Sequence, residues 1–131
     1  MRHSLRVEGL LGPESVPVLL ELERVRALLL RLAALAGPGQ TTYDPQVAKL
    51  RSPEGGLSGV CLFPGGSVVI HTFEPAGRLP ARVLLDVTAS DPLRPAELVR
   101  AVELELGVLV PPWEAPAVEL EQPSSARELG S

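Results

Sequence analysis

The chain has 131 residues, a formal net charge of −4 and 45% hydrophobic residues, which suits one folded domain with an apolar core. The 12 basic residues form no patch interleaved with aromatic residues, so the composition argues against nucleic-acid binding. One cysteine and two histidines are too few for an internal disulfide or a zinc site, so we expect no bound metal.

The N-terminal third of the sequence predicts a strand and then a long helix. Mixed polar and apolar residues at positions 4–11 predict the strand. After Ser15, residues on one helical face recur every three or four positions, which predicts an amphipathic helix of four to five turns: Leu19, Leu22, Val25 (or Arg26), Leu29, Leu32 and Ala36. Gly37-Pro38-Gly39 is expected to end this helix, because glycine tolerates a left-handed cap and proline cannot continue a helix.

Nothing in this region predicts a membrane or secretion signal. The longest apolar stretch, residues 27–36, is interrupted by Arg31 and is too short to span a bilayer. Residues 1–15 lack the apolar core of a signal peptide. We therefore expect a cytoplasmic protein with no membrane partner.

The middle of the chain predicts four strands, at residues 41–51, 57–63, 67–73 and 82–88. Pro64-Gly65-Gly66 separates the second and third of these, which indicates a hairpin.

A second helix is predicted to follow. Asp91 and Pro92 resemble an N-cap and a first-turn proline, and Leu98, Val102 and Leu106 share one face before Gly107 ends the helix. Short strands are predicted at residues 108–110 and 117–120.

The order β-α-β-β-β-β-α-β favours an α+β fold, a two-layer sandwich with a mostly antiparallel sheet and two helices on one face. We expect the domain to span residues 1–110. Residues 111–131 form a C-terminal extension rich in Pro, Glu and Ser, whose last ten or so residues we expect to be mobile.

Short motifs in residues 52–90 resemble the bacterial and archaeal S-adenosylmethionine decarboxylases. The matching pieces are Gly56, Ser58-Gly59-Val60, Ile70-His71-Thr72 and Asp86-Val87, with Pro53 close to a proline of the family. The opening Arg2-His3-x-Leu5 is also similar to the start of the family. The spacing of twelve residues between Ser-Gly-Val and Ile-His-Thr is the family's own. The resemblance covers roughly residues 1–110 and implies the family's fold.

The resemblance also implies a chemistry. In that family the serine of a Glu-Ser-His motif attacks the preceding carbonyl, the chain breaks there, and the serine becomes a pyruvoyl group. This group forms an imine with the substrate and accepts electrons during decarboxylation. A serine and a histidine assist the self-cleavage, and a cysteine later donates a proton. Ser58 and His71 stand at the two assisting positions.

Three other chemical positions differ from the family. Aligned without gaps from both sides, the pyruvoyl-forming serine falls on Gly66 and the preceding glutamate on Gly65. The proton-donor cysteine falls on Ser90, beyond a loop before Asp86 that is longer than the family's. Glycine has no hydroxyl group, so self-processing lacks its nucleophile. We therefore expect an uncleaved chain without a cofactor, and a residual pocket near Ser58, Gly66, His71 and Ser90.

An alternative is that Ser67, one residue further on, becomes the pyruvoyl precursor. A slip of one residue in a strand turns the side chain to the opposite face, and a bulge at Gly65 and Gly66 would restore its direction. In that case the protein is an active pyruvoyl-dependent decarboxylase.

Each candidate also has a simpler interpretation. His71 is then a strand histidine with a hydrogen-bond partner, Ser58 a small residue at a strand start, and Cys61 a small core residue. His3 is interpreted as structural. Gly65 and Gly66 then form only a tight turn.

The resemblance favours an S-adenosylmethionine decarboxylase-related protein of polyamine (spermidine) metabolism that lacks self-processing and acts as a binding or regulatory homologue. It implies a homodimer, an S-adenosylmethionine-like small molecule as ligand and an active paralogue as partner. Binding of S-adenosylmethionine is expected to be weak, because Phe63, Phe73 and Trp113 are the few rings available for stacking. A structural dimer without a ligand is the second alternative.

Overall fold

The computed structural model describes residues 2–12, 21–49, 55–76, 78, 80–107, 109–114 and 119–121. In chain order the elements are β1 (Arg2–Leu11), α1 (Leu22–Ala36), β2 (Gln46–Lys49), β3 (Leu57–Phe63), β4 (Gly66–Phe73), β5 (Ala81–Ala89), α2 (Pro95–Leu106), β6 (Leu109–Glu114) and β7 (Glu119–Glu121). In the described part of the chain, neither helix is long and apolar enough to cross a membrane.

The strands form one antiparallel sheet with the order β2-β3-β4-β5-β1-β6, and β7 also pairs with β1. Alternate residues of β1, β3, β4 and β5 are buried and join the buried residues of both helices in one core cluster. This period of two is what a sheet shows when one face is covered by helices. The predicted α+β fold is confirmed, and the sheet and two helices are arranged as in a two-layer sandwich.

The other face of the sheet is not covered by the helices. We call it the open face; on the four central strands it carries residues 4, 6, 8 and 10 of β1, 58, 60 and 62 of β3, 67, 69, 71 and 73 of β4, and 82, 84, 86 and 88 of β5. These side chains are half-buried or exposed, in contrast to their buried neighbours along each strand.

Helix α1 packs its apolar stripe into the core, and six of its residues are buried: Val25, Leu28, Leu29, Leu32, Ala33 and Ala36. Leu22, predicted on this stripe, is 46% exposed at the first residue of the helix. Leu19 and Ser15 lie outside the described residues.

The helix ends before Gly37, as predicted, and within the run Gly37-Pro38-Gly39 it is Gly39 that has a left-handed backbone, with φ 77°. Gly37 has φ −128°, which is not left-handed. A Cβ on this residue would lie 2.6 Å from the Phe63 ring, so the glycine is needed for close packing.

Gly59 lets helix α1 approach the sheet in the same way. A Cβ at this position would lie 2.7 Å from Leu29 Cδ1. The core side of β3 can therefore pack directly beneath the helix.

Strand β2 is shorter than the predicted strand at residues 41–51. It begins after Pro45, which has no N–H to donate to a ladder. Tyr43 lies before it, although its N–H still donates to the Leu62 carbonyl at 2.8 Å. Residues 50–54 lie outside the described part of the chain.

The prediction that Asp91 and Pro92 start the second helix is wrong. The helix begins at Pro95, and Arg94 is extended with φ −117° and ψ 91°. A residue before proline is disfavoured in the helical conformation, so Pro95 prevents an earlier start and itself occupies the first position. The predicted end at Gly107 is confirmed.

The last strands lie close to their predicted positions, with β6 longer than residues 108–110 and β7 within one or two residues of 117–120. The predicted mobile end of the chain, residues 122–131, lies outside the described residues.

Candidate functional site

Ser58 on β3 and His71 on β4 are directly opposite each other on the open face. Their side chains share a hydrogen bond of 2.7 Å between Ser58 Oγ and His71 Nδ1. Opposite residues on one face of an antiparallel pair have Cβ atoms about 5 Å apart, which places a hydroxyl within reach of an imidazole. The two positions that the resemblance assigns to proton handling are therefore in contact.

The neighbouring residues anchor this end of the β3–β4 pair. The Leu57 N–H donates to Thr72 Oγ1 at 2.9 Å, and Thr72 is fully buried. The Gly56 N–H donates to the Glu74 carboxylate at 3.3 Å. Gly56 has φ 95°, and a Cβ on it would lie 1.8 Å from the Thr72 carbonyl oxygen, so only glycine fits there.

A shallow pocket of about 360 Å³ lies beside the Ser58–His71 pair on the open face. It is lined by Gln46, Val47, Ala48, Ser58, Gly59, Val60, Val69 and His71. The pair supplies a hydroxyl and an imidazole at the edge of a largely apolar surface. This arrangement can orient a small ligand and can move a proton between Ser58, His71 and a bound group.

The hairpin turn at the other end of β3 and β4 is held by two side chains. Gln40 Oε1 accepts a hydrogen bond from the Gly65 N–H at 2.7 Å. The Ser90 hydroxyl donates to the Gly65 carbonyl oxygen at 3.1 Å. Ser90 therefore fixes the turn in this structure, and it lies next to Ala89, which pairs with Gly66.

Gly66 packs against the backbone of β5 with no space for a side chain. A Cβ at this position would lie 1.8 Å from the Thr88 carbonyl oxygen and 2.9 Å from Ala89 Cα. Both are backbone atoms of a central strand and cannot turn aside as a flexible side chain can. The missing hydroxyl of the predicted pyruvoyl position is therefore accompanied by a steric block.

The structure divides the four residues that were predicted to share one pocket into two separate pairs. Ser58 and His71 meet at one end of the hairpin, and Gly66 and Ser90 are neighbours at the other. His71 is five residues from Gly66 along a regular strand, a distance of about 16 Å.

Ser67 lies on the open face, as His71 does, but four residues away, which is about 13 Å along the strand. The ladders pair Gly66 to His71 with β3 and Gly66 to Phe73 with β5, and neither has a register shift. The bulge considered for the Ser67 alternative is therefore absent from this described segment.

Neither Phe63 nor Phe73 lines the pocket beside the Ser58–His71 pair. Phe63 is buried in the core, with 3% exposure. Phe73 is on the open face 6.5 Å from the His71 ring, and the Arg82 guanidinium lies 4.6 Å from its ring centroid. The side chain of Trp113 lies outside the described set.

Cys61 is buried, and its thiol donates to the Tyr43 carbonyl oxygen at 3.4 Å. Burial, with a smaller contribution from the Asp44 charge, raises the pKa of the Cys61 thiol. Its prediction as a small core residue is confirmed. His3 is half-buried on β1, opposite Ala89. Among the described residues, no cluster of three His, Cys, Asp or Glu side chains is suited to a metal ion.

Sequence reasoning missed three groups of residues: the apolar wall of the pocket (Val60 and Val69), the Gln40 brace of the turn, and the Arg82–Phe73 contact. The valines could have been found, because a strand alternates and they are two residues from Ser58 and His71 respectively. Gln40 gave no local signal, since it contacts the turn from 25 residues away.

Comparison with models of known protein families found no matching family, and comparison with curated protein sequences found no matching protein.

Proposed function

We propose that this chain is a relative of the S-adenosylmethionine decarboxylases that has lost self-processing and acts as a binding or regulatory protein in polyamine metabolism. The relationship rests on the spacing of the sequence motifs. One observation carries the loss of processing: Gly66 has neither a nucleophile nor space for one against the Thr88 carbonyl. The contact between Ser58 and His71 supports a retained site, because a polar pair beside a pocket suits ligand binding.

The enzymatic alternative is less well supported by the geometry. A pyruvoyl group made from Ser67 would need Ser58 and His71 close to the Gly66–Ser67 peptide bond. The regular register of β4 keeps Ser67 about 13 Å from His71, well beyond the 2.6–3.2 Å over which a general base acts. A pyruvoyl cofactor belongs to the protein only in that alternative.

The proposal includes a homodimer, an S-adenosylmethionine-like ligand and an active paralogue as partner. Large apolar side chains support self-association on both layers, since Leu62 on the sheet is 50% exposed and Leu104 on α2 is 57% exposed. Light scattering at micromolar concentration should give twice the chain mass. A stoichiometric effect of this chain on the rate of an active decarboxylase of the same cell would establish the paralogue as partner.

Intact-protein mass spectrometry tests the loss of processing. We expect one species with the mass of the full chain, 13.9 kDa. Two fragments that break between Gly66 and Ser67, with a pyruvoyl group on the second, would restore the enzymatic alternative.

Calorimetry tests the retained site. We expect S-adenosylmethionine to bind more weakly than micromolar, and His71→Ala to abolish that binding. His3→Ala is the matched control, because His3 is the other histidine of the chain and is not in the pocket. Equal binding by both variants would remove His71 from the site.

A further inference from the structure

The second half of helix α1 is apolar on every side. In residues 27–36, Arg31 is the only polar residue. Five of the apolar residues are buried in the core: Leu28, Leu29, Leu32, Ala33 and Ala36. The other four are exposed on the side of the helix away from the core: Ala27, Leu30, Ala34 and Leu35. A surface helix normally carries polar residues on that side, so the outer side of α1 has apolar area that the fold does not use.

A groove of about 180 Å³ lies between this outer side of α1 and helix α2. We call it the helix groove; its lining residues are Arg31, Leu35, Glu97, Arg100, Ala101 and Leu104. Leu35 and Leu104 contribute exposed apolar side chains from the two helices, and Ala101 between them is buried and short. Helices pack with their axes 8–10 Å apart when the side chains between them are of this size, so a third helix can lie along the groove.

Each of the two helices contributes one arginine to the helix groove. Arg31 and Arg100 are both exposed, and within the described ranges neither of them forms an ion pair. The positions three and four residues from Arg31 on α1 hold only alanine and leucine, so its guanidinium has no acidic neighbour on its own helix. Glu97, the acidic residue of the groove lining, pairs with Arg94 at 3.3 Å. The groove therefore presents apolar side chains between two available cations.

We propose that the helix groove binds an amphipathic helix of another protein, in which acidic residues flank the apolar stripe. The apolar stripe packs against Leu35, Ala101 and Leu104, with anchors at the spacing of helix-in-groove recognition. Carboxylates on the two flanks of the stripe pair with Arg31 and Arg100. Charges placed opposite each other in this way fix the orientation of the bound helix and exclude partners of the wrong sign.

The charge distribution favours this partner over an anionic lipid surface. The chain has a net charge of −4, and α2 carries Glu97, Glu103 and Glu105 together with Arg100. A surface of uniform negative charge would meet all of these carboxylates, whereas lipid binding needs a cluster of cations. A helix can place its own carboxylates opposite the arginines alone.

The inference goes beyond the proposed function and uses other residues. The helix groove is on the helical layer, and the Ser58–His71 pair is on the open face of the sheet. A homodimer through the open face, where Leu62 is exposed, leaves the groove accessible.

Two designed peptides test the proposal. The acidic peptide has three copies of the unit Leu-Ala-Gln-Leu-Glu-Gln-Glu, and the basic peptide has lysine at every glutamate position. Each is titrated into the full chain at neutral pH, and binding is followed by NMR at the methyl groups of Leu35 and Leu104. We expect the acidic peptide to bind at least about tenfold more tightly than the basic one, because it gains two ion pairs where the other meets two like charges. Equal or tighter binding of the basic peptide overturns the proposal, and so does the absence of binding by the acidic peptide at about 1 mM.

Charge reversal at the groove is the matching test. Arg31→Glu combined with Arg100→Glu should reverse the preference to the basic peptide by about tenfold. Arg24→Glu is the control, because Arg24 is also exposed on α1 but pairs with Glu21 and does not line the groove. The control should keep the acidic preference. A reversal in both variants, or in neither, contradicts the assigned pairing. If the double variant does not fold, the wild-type comparison of the two peptides still decides the question.

Leu104→Gln separates the proposed partner from other occupants of the groove. It should weaken binding of the acidic peptide by about tenfold and leave the oligomeric state unchanged. A dimer that becomes a monomer in this variant would assign the groove to a second copy of the chain and overturn the proposal. Binding to phosphatidylserine vesicles that is lost on Arg31→Glu would assign it to a lipid surface and overturn it too. Neither result bears on cleavage of the chain or on ligand binding at His71, so the proposed function is tested separately.

Discussion

Replacing Gly66 with serine should destabilise the protein and should not start self-cleavage. The substitution restores the hydroxyl that the resemblance requires, but its Cβ would lie 1.8 Å from the Thr88 carbonyl oxygen and 2.7 Å from the Thr88 carbonyl carbon. Carbon and oxygen atoms in ordinary contact are about 3.3 Å apart, so β4 must move away from β5 by roughly 1.5 Å. A shift of that size would lengthen the backbone hydrogen bonds between the two strands beyond their normal N···O distance.

The expected cost follows from these contacts. Overpacking in a closely packed site costs about 1–3 kcal/mol. Each backbone hydrogen bond beside the Gly66–Ala89 pair that is lost lowers the free energy of unfolding by about a further 1 kcal/mol. The turn can yield to some extent because it is at a strand end, so we expect a loss of about 2–3 kcal/mol in the free energy of unfolding. For a chain of this length, that corresponds to a fall of roughly 10 °C in Tm.

Urea unfolding measures the stability, and intact mass measures cleavage in the same sample. Gly66→Ala isolates the effect of the Cβ and should cost about as much as Gly66→Ser. Gly65→Ala is the matched control, since its Cβ would lie 2.7 Å from the Gln40 amide, the end of a flexible side chain. It should cost only about 1 kcal/mol. Wild-type stability of Gly66→Ala, an equal cost at Gly65, or cleavage of the serine variant would refute the reasoning.

Three further predictions concern the core. Thr72→Val should lower the free energy of unfolding by about 1–3 kcal/mol, because the Leu57 N–H loses its acceptor. Thr88→Val on the open face is the control and should change the free energy of unfolding by less than about 0.5 kcal/mol. Equal urea midpoints for the two variants would contradict the prediction. Leu29→Ala should cost about 2–5 kcal/mol in the same assay, because Leu29 is fully buried between α1 and the sheet, and a cost below about 1 kcal/mol would mean that α1 is not packed there. Iodoacetamide should alkylate Cys61 far more slowly in the folded protein than in urea, because burial raises the pKa of the thiol and keeps it protonated, and equal rates would show an accessible thiolate.

The hairpin of β3 and β4 shows how much of the site is predictable from sequence. The apolar runs and Pro64-Gly65-Gly66 correctly predict two strands and a turn. A two-residue turn pairs Phe63 with Gly66, and five steps back along both strands Ser58 is opposite His71. The contact between the serine and the histidine therefore follows from local information alone.

The same pairing separates that contact from Gly66, so the predicted single pocket was incompatible with a regular hairpin. The resemblance gives the identity of aligned positions, and it does not specify whether β4 is regular. A bulge or a break in β4 would have changed the geometry, and only the pairing with β5 shows that neither occurs.

Other differences arise from contacts between distant parts of the chain. The run Gly37-Pro38-Gly39 was predicted to end α1, and Gly39 has the left-handed φ, but the packing of Gly37 against a ring in β3 gave no local signal. The start of α2 is different: Pro95 was visible in the sequence, and its effect on Arg94 excludes a helix from Pro92. The packing of Gly37 is visible only in the tertiary structure. The start of α2 follows from the sequence once the effect of a proline on the preceding residue is considered.

The steric block at Gly66 bears on the proposed loss of self-processing. A serine at this position and the observed register of β4 on β5 cannot coexist, because the Thr88 carbonyl occupies the place of the Cβ. The missing nucleophile and the close packing of the two strands are therefore two aspects of one arrangement. Under the proposed relationship, self-processing at residue 66 would require β4 to separate from β5 near the turn and residue 66 to move toward His71. The hydrogen bonds from Gly65 to Gln40 and from Ser90 to Gly65 hold that turn in place. A single substitution supplies a hydroxyl but none of this movement, so we expect the Gly66→Ser chain to stay uncleaved.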